Sequence, residues 1–245
     1  MSATSTDWPD IGTMAVLDDD TDEAKVVKMQ LQEIGVETIV ADLAQVSKLE
    51  QAIDWITGNA NAVICDVQLN HYQSGICYDG AELMSAVIGE HGIPGVLTTG
   101  FKDDVGMWVR PHRRRIPVLV SRDETMEPEV LLRGVETCRA EIDHGRAPDR
   151  ETHRVPLYIE KTAVVDDRVA LDARVGGWSR KASIRFPADM LGGQYNTIEA
   201  AREIVGRAFF AHVNLGAEHE TDLFFEDPEL EFVDPAGLPL HFEAE

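Results

Sequence analysis

The chain has 245 residues and a formal charge of -22, with 44 acidic against 22 basic side chains. That size allows one large domain or two ordinary ones, and the acidity argues against a DNA partner, whose non-specific affinity comes from Lys and Arg neutralising phosphates. No apolar run approaches the roughly 20 residues that span a bilayer, and Met1 to Ile11 lacks the basic-then-apolar order of a secretory signal.

The first 145 residues alternate short apolar runs with helical patterns. Met14-Ala15-Val16-Leu17 predicts a strand ending in Asp18-Asp19-Asp20. Thr21 to Ile34 predicts a helix, with Ala24, Val27, Leu31 and Ile34 on one face and Gly35 as its stop. Glu37 to Ala41 is a second strand, and Leu43 to Ile56 a second helix ended by Gly58. Ala62-Val63-Ile64-Cys65 is a third strand running into Asp66, followed by a helix from Gly80 to Ile88. Gly95 to Thr98 is the fourth strand, Asp103 to Arg113 the fourth helix, Ile116 to Val120 the fifth strand, and Glu127 to Ile142 the fifth helix. Apolar strands separated by amphipathic helices describe a parallel sheet covered on both faces. In such sheets ligands bind beyond the carboxyl ends of the strands.

Residues 145–154 are polar, contain Pro148 and predict a linker. From Val155 the pattern changes to that of a smaller α+β domain reaching Glu245. Val169, Leu171, Ala173 and Val175 alternate with polar residues, as do Ala182, Ile184 and Phe186, so each set predicts a half-buried antiparallel strand. Asp166-Asp167-Arg168 is a turn between strands. Asn196 with Glu199 resembles a capping box, opening a helix whose apolar face holds Ile198, Ala201, Val205, Ala208, Phe209 and His212. Phe224 to Phe242 suggests short strands. Cys65, Cys77 and Cys138 form no C-x-x-C pair, which predicts a reduced, cytoplasmic setting.

The strand ends gather acids. Asp18 and Asp19 after the first strand would face the same crevice as Asp66 after the third, with Thr99 after the fourth. Carboxylates brought together repel one another unless a cation sits among them. A hard ion such as Mg2+ suits oxygen ligands and would neutralise charge on a phosphoryl group in transfer; an aspartate beside it can act as the nucleophile. Each piece alone has a bland alternative: the Asp18-Asp19-Asp20 run as a turn and helix cap, Asp66 as a turn residue.

Together, Leu17-Asp18-Asp19-Asp20, Val63-Ile64-Cys65-Asp66-Val67-Gln68-Leu69, Asp79-Gly80-Ala81-Glu82-Leu83 and Ile93-Pro94-Gly95-Val96-Leu97-Thr98-Thr99-Gly100 resemble a response-regulator receiver domain of the CheY-like kind, over roughly residues 10–144. The resemblance implies a flavodoxin-like fold, five parallel strands in the order 2-1-3-4-5 with helices on both faces. It implies that Asp66 accepts a phosphoryl group from a histidine kinase or phosphotransfer protein, with Mg2+ held by Asp19 directly, by Asp18 mostly through water, by Asp66 and by the backbone carbonyl of Gln68, and with Thr99 following the phosphoryl group. It implies a signalling protein that assists only its own phosphorylation and dephosphorylation, not a turnover enzyme. Where the family carries Lys-Pro at the end of strand five, this chain has Ser121-Arg122-Asp123, making Arg122 the nearest cation; Arg is not a neutral substitute for Lys at a phosphate site. The rival reading is a pseudo-receiver that keeps the fold and docks a partner without phosphorylation. A distant third is a phosphatase of the haloacid-dehalogenase type, whose Asp-x-Asp-x-Thr pattern fails because Asp22 stands where Thr belongs.

The run Arg110-Pro111-His112-Arg113-Arg114-Arg115 has two readings: a solvated helix end, or a docking surface for an acidic partner, the acidic tail of this chain or of a second copy included. The C-terminal domain shows no nucleotide loop, metal site or catalytic triad. It predicts a protein-binding module for a downstream partner, with homodimerisation one form of that. Arg174, Arg180, Lys181 and Arg185 are its small basic patch.

Overall fold

The computed structural model describes residues 11–69, 75–100, 105–178 and 183–234. It forms two compact units: Met1–Lys102 with Arg115–Gly145, and Asp103–Arg114 with Arg146–Glu245. In chain order the strands of the first are β1 (Met14–Leu17), β2 (Thr38–Val40), β3 (Ala62–Asp66), β4 (Gly95–Thr99) and β5 (Leu119–Ser121). Helices α1 (Thr21–Glu33), α2 (Leu49–Asn59), α3 (Gly80–His91) and α5 (Pro128–His144) alternate with them, whereas α4 (Val105–Trp108) belongs to the second unit.

The first unit's sheet is parallel, in the order β2-β1-β3-β4-β5, the flavodoxin-like arrangement expected from the sequence. Met14, Val16, Ile64, Val96 and Val120 pack with Ala24, Val27 and Leu31 of α1 and Leu131, Leu132 and Val135 of α5. The intervening strand residues Ala15, Leu17, Val63, Cys65 and Leu97 are just as buried, which is why these strands carry unbroken apolar runs instead of alternation. β5 begins three residues later than the pattern predicts, at Leu119, since Pro117 offers no N–H to a ladder. α2 begins at Leu49 and not Leu43. The Asp42 carboxylate takes the Ala44 N–H and the Gln45 amide, favouring a turn there over a helix.

The second unit is built on an antiparallel sheet in the order β10-β9-β6-β7-β8. Its strands are β6 (His153–Val165), β7 (Arg168–Val175), β8 (Ser183–Pro187), β9 (Ala208–Val213) and β10 (Phe225–Val233). Asp166 and Asp167 both take positive φ, 46° and 62°, the two left-handed residues of a tight hairpin between β6 and β7. Leu171, Ala173, Val175, Ile184 and Phe186 point into one core with Leu157, Phe209 and Phe225, as their alternation predicts. The expected helix through His212 is cut short: α6 spans Ile198–Glu203, capped by Thr197 and not Asn196, and Ala208, Phe209 and His212 lie on β9. Gly206, at φ 80°, turns the chain. Aromatic and alternating residues beyond it then fit a half-buried strand better than a third helical turn. Ala182, Arg180, Lys181 and the strands expected beyond Asp234 lie outside the described residues, as does Asp103.

The segment expected as the fourth helix is the largest departure. Among the described residues of that segment, α4 is a single turn, followed by a short 3-10 turn at Arg113–Arg115, and residues 105–114 pack as part of the second unit. A Cβ on Gly106 would stand 2.5 Å from the Arg185 carbonyl oxygen, so glycine permits the close approach to β8. Arg110 is 3% exposed; its Nε donates to the Arg185 carbonyl at 2.8 Å and Nη1 to the carbonyls of Glu220 (3.1 Å) and Leu223. Arg113, equally buried, donates from Nη2 to Asp222 at 2.7 Å and from Nε to the Thr221 carbonyl at 3.3 Å. The expectation of a solvated helix end therefore fails for these two residues; a short stretch of the same chain, Glu220–Leu223, receives them. Residues 145–154 likewise depart from a plain linker. Arg150 is buried against the Phe224 ring and donates to the carbonyls of Arg113 and Arg114. Arg146 pairs with Glu226 at 2.7 Å, and His153 already opens β6.

Candidate functional site

The aspartate run after β1 divides its work. Asp20 has the ordinary duty of an N-cap, its carboxylate accepting the N–H groups of Asp22 (3.0 Å) and Glu23 (3.3 Å). This fixes the start of α1 and leaves Asp18 and Asp19 at the strand end. Asp18 is steadied by the Asp20 N–H, which donates to its Oδ1 at 2.8 Å. Asp66 ends β3 and accepts the Gln68 N–H on Oδ2 at 3.0 Å. A ligand oxygen from each of Asp18, Asp19 and Asp66 lies within 4.8 Å of the other two. Asp19 and Asp66 are each only 4% exposed.

The strand end is held tight behind them. Asp79 caps α3 by accepting the Glu82 N–H at 2.7 Å, and the Gly80 N–H donates to the Val67 carbonyl at 2.9 Å. A Cβ on Gly80 would stand 1.8 Å from the Asp66 carbonyl oxygen. The Asp79-Gly80 pair thus pins the helix to the backbone of Asp66, a role that only glycine at that position permits.

Burial dominates the electrostatics. It raises the Asp18 carboxyl to about 7 and that of Asp66 to about 6, with the mutual repulsion of the carboxylates adding to it. Hydrogen bonds from Asp20 and Gln68 and the Arg122 guanidinium pull the other way. Arg122 follows β5, its N–H bonded to the Thr99 carbonyl at 2.9 Å. Its Nη2 stands 3.7 Å from Asp66 Oδ1 and 4.0 Å from Asp18 Oδ2, while its Nε meets Glu23 Oε2 at 2.7 Å.

Asp18, Asp19, Asp66 and Arg122, all picked out from the sequence, are thus brought together. Thr99 is buried at the end of β4, and its carbonyl anchors Arg122. Two further residues, neither given a role in the receiver reading, take part. Thr98, paired with Asp66 in the sheet register, donates its hydroxyl to the Cys65 carbonyl at 3.3 Å and lies 3.5 Å from Asp66 Oδ1; strand register alone could have pointed to it. Glu23 could have been suspected from its place in the first turn of α1, directly above the strand ends. Cys65 is buried behind the site and Cys77 is exposed. The described residues contain no helix long and apolar enough to cross a membrane.

No family model and no curated protein matches the chain. The solved structures similar to it include response-regulator receiver domains. The receiver domain of NtrX from Brucella abortus is 23% identical, with 51% of this chain and 98% of that one covered and a TM-score of 0.39. The N-terminal domain of a response regulator/sensory box/GGDEF 3-domain protein from Carboxydothermus hydrogenoformans is 18% identical, with 54% and 96% covered and a TM-score of 0.41. A CheY-like receiver domain protein from Methanospirillum hungatei is also 18% identical, with 54% and 96% covered and a TM-score of 0.39. These likenesses reach about half of the chain; the strand order of the first unit stands on its own geometry.

Proposed function

We propose that the first unit is a phosphoacceptor receiver of a two-component signalling protein, with Asp66 the residue that takes the phosphoryl group from a histidine kinase or phosphotransfer protein. The observation that carries this reading is the meeting of Asp18, Asp19 and Asp66 at the carboxyl ends of β1 and β3 in a sheet of order 2-1-3-4-5. The donors fit a hard divalent cation: all are oxygens, they come from crowded and largely buried carboxylates, and burial makes their charge costly without a counter-ion. Mg2+ held by Asp18, Asp19 and Asp66, with the Gln68 carbonyl as a further ligand, would supply positive charge to a phosphoryl group in transfer.

The chain's own residues do the rest. The Gln68 N–H fixes the Asp66 carboxylate in place. A carboxylate oxygen of Asp66 attacks phosphorus, the bond from phosphorus to the donor's imidazole nitrogen breaks, and that nitrogen keeps the electron pair. Arg122 and the Thr99 hydroxyl would meet the new phosphoryl oxygens. The second unit is the module that binds a downstream protein, and the modification acts by adding about -1.5 to -2 charges at one strand end. No turnover chemistry is assigned to either unit.

Intact-mass analysis after incubation with acetyl phosphate and Mg2+ tests this. One phosphoryl group should add to the wild type and none to Asp66→Asn or to wild type without metal. A folded wild-type protein that never acquires it would favour the second reading, a pseudo-receiver. That reading draws on Arg122, which stands where the family carries lysine and already leans toward Asp66. Sustained hydrolysis of a generic phosphate ester would overturn both.

A further inference from the structure

Arg122 is anchored at its backbone and by one bond to its side chain before its guanidinium reaches the acidic site. Its backbone N–H is bonded to the Thr99 carbonyl at 2.9 Å, and its carbonyl accepts the N–H and hydroxyl of Thr125 at 3.2 and 2.7 Å. Gly100 lies under the side chain; a Cβ there would stand 3.6 Å from the guanidinium carbon, in ordinary contact. The strongest tie is Nε to Glu23 Oε2 at 2.7 Å. With Nε engaged, Nη2 stops at 3.7 and 4.0 Å from Asp66 and Asp18, ion-pair range but short of a hydrogen bond. Glu23 is in turn fixed at the third position of α1, where the Asp20 carboxylate accepts its N–H at 3.3 Å.

We propose that Glu23 is a positioning residue that holds Arg122 at the mouth of the acidic site, keeping its guanidinium from dropping among Asp18, Asp19 and Asp66 where a divalent cation would bind. The inference rests on reading these aspartates as the cation site of the proposed receiver. An arginine fork pairs readily with carboxylates. Once Nε is released, the guanidinium has the carboxylates of Asp66 and Asp18, already 3.7 and 4.0 Å from Nη2, to turn to, so arginine and metal then compete for the same oxygens. A lysine has one ammonium and no Nε to be held in this way, so this chain needs Glu23 where a chain with lysine would not.

Metal binding alone tests the idea, read from the loss of the free Mn2+ electron paramagnetic resonance signal in full-length protein. Glu23→Gln should weaken Mn2+ about tenfold, while the same change in an Arg122→Gln background should cost about threefold or less, the difference being a coupling of ordinary size for neighbouring side chains. Arg122→Gln alone should bind at least as tightly as wild type. Equal losses in the two backgrounds would mean that Glu23 acts only as one more negative charge, and the proposal fails. It fails also if wild type binds no Mn2+, whether or not Arg122→Gln does: either the arginine already fills the site or there is no site to guard. The phosphorylation reading is judged separately by intact mass. Coupling in the Mn2+ cycle with no adduct from acetyl phosphate would retain the positioning role and reject the phosphoacceptor.

Discussion

Three aspartates crowd the strand ends of the first unit, and three arginines, Arg110, Arg113 and Arg150, are buried in the second. Both clusters gather like charges away from water, a costly arrangement in either sign. The arginines are compensated within the chain: carbonyls of Arg185, Glu220 and Leu223 receive Arg110, Asp222 receives Arg113, and the Phe224 ring lies against Arg150. Burial lowers Arg110 to about 10, yet it stays cationic at neutral pH. The aspartates are placed otherwise. Asp18 and Asp66 are raised to about 7 and about 6, and Arg122 stays at ion-pair distance. A buried cluster matched by carbonyls and an aspartate is architecture. A cluster whose carboxyls are pushed toward neutrality is open to an added cation, and this difference separates the two units better than composition does.

The largest expected effect lies on the architectural side. Arg110→Met keeps the volume but leaves three carbonyls without their donor, so it should destabilise the second unit by roughly 3 kcal/mol or more, at about 1–3 kcal/mol for each buried acceptor left unsatisfied. Urea unfolding and amide exchange of β8 and β10 would measure it. A loss within about 0.5 kcal/mol, the scale of an ordinary surface change, would show that Arg110 is not a keystone and break the comparison.

Next in size is the pH dependence of metal binding. Asp18 and Asp66 must give up their protons to ligate. Mg2+ affinity should therefore hold above pH 8 and fall as pH drops through about 7 and then about 6. The loss should be roughly tenfold per pH unit for each proton taken up. Isothermal titration between pH 5.5 and 8.5 would follow it; a flat profile would place the cation elsewhere.

The fold was legible where one local signal decided it. Continuous apolar strands ending in acids gave the parallel sheet, and the alternation around Leu171 and Ile184 gave β7 and β8. What sequence periodicity could not supply was partnership at long range. The apolar face from Ile198 to His212 fits a helix on paper, and only Gly206 and the neighbouring strands make Ala208–Val213 into β9. Residues 105–114 sit between two strands of the first unit in sequence, and nothing local announces that Arg110 finds its acceptors about 75 to 113 residues onward. The candidate site was legible in its aspartates because strand ends converge in such sheets. Glu23 and Thr98 were not, since their parts depend on register and on where one arginine side chain lies.

A smaller effect sharpens the aspartate side. Asp18 ionises near 3.8 when unfolded and near 7 when folded. Its neutral form therefore favours the fold at low pH, and that advantage is lost as pH rises from about 4 to about 7. Without divalent metal at pH 8, Asp18→Asn should raise stability by on the order of 1 kcal/mol, and the gain should vanish below pH 4. Excess Mg2+ should restore wild type relative to the variant, because a cation that binds only the folded state stabilises it. Thermal melts at both pH values decide this; a variant less stable than wild type in chelator would mean that the carboxylate is already compensated.

The smallest effect is expected at a pair that looks strong on paper. Arg154 and Glu229 form two bonds, Nε to Oε1 at 2.6 Å and Nη2 to Oε2 at 2.7 Å, and the guanidinium lies 3.9 Å from the centre of the Phe210 ring. Glu229 is lowered by that bond and Arg154 raised by it. Both side chains stand in water, however, where the ions are screened and ordering two long side chains offsets most of the attraction. Glu229→Gln should leave the urea midpoint unchanged within error, and added salt should make no difference to that. A clear loss would show that short distances alone can make a surface pair structural, and the contrast with Arg110 would then rest on geometry rather than on burial.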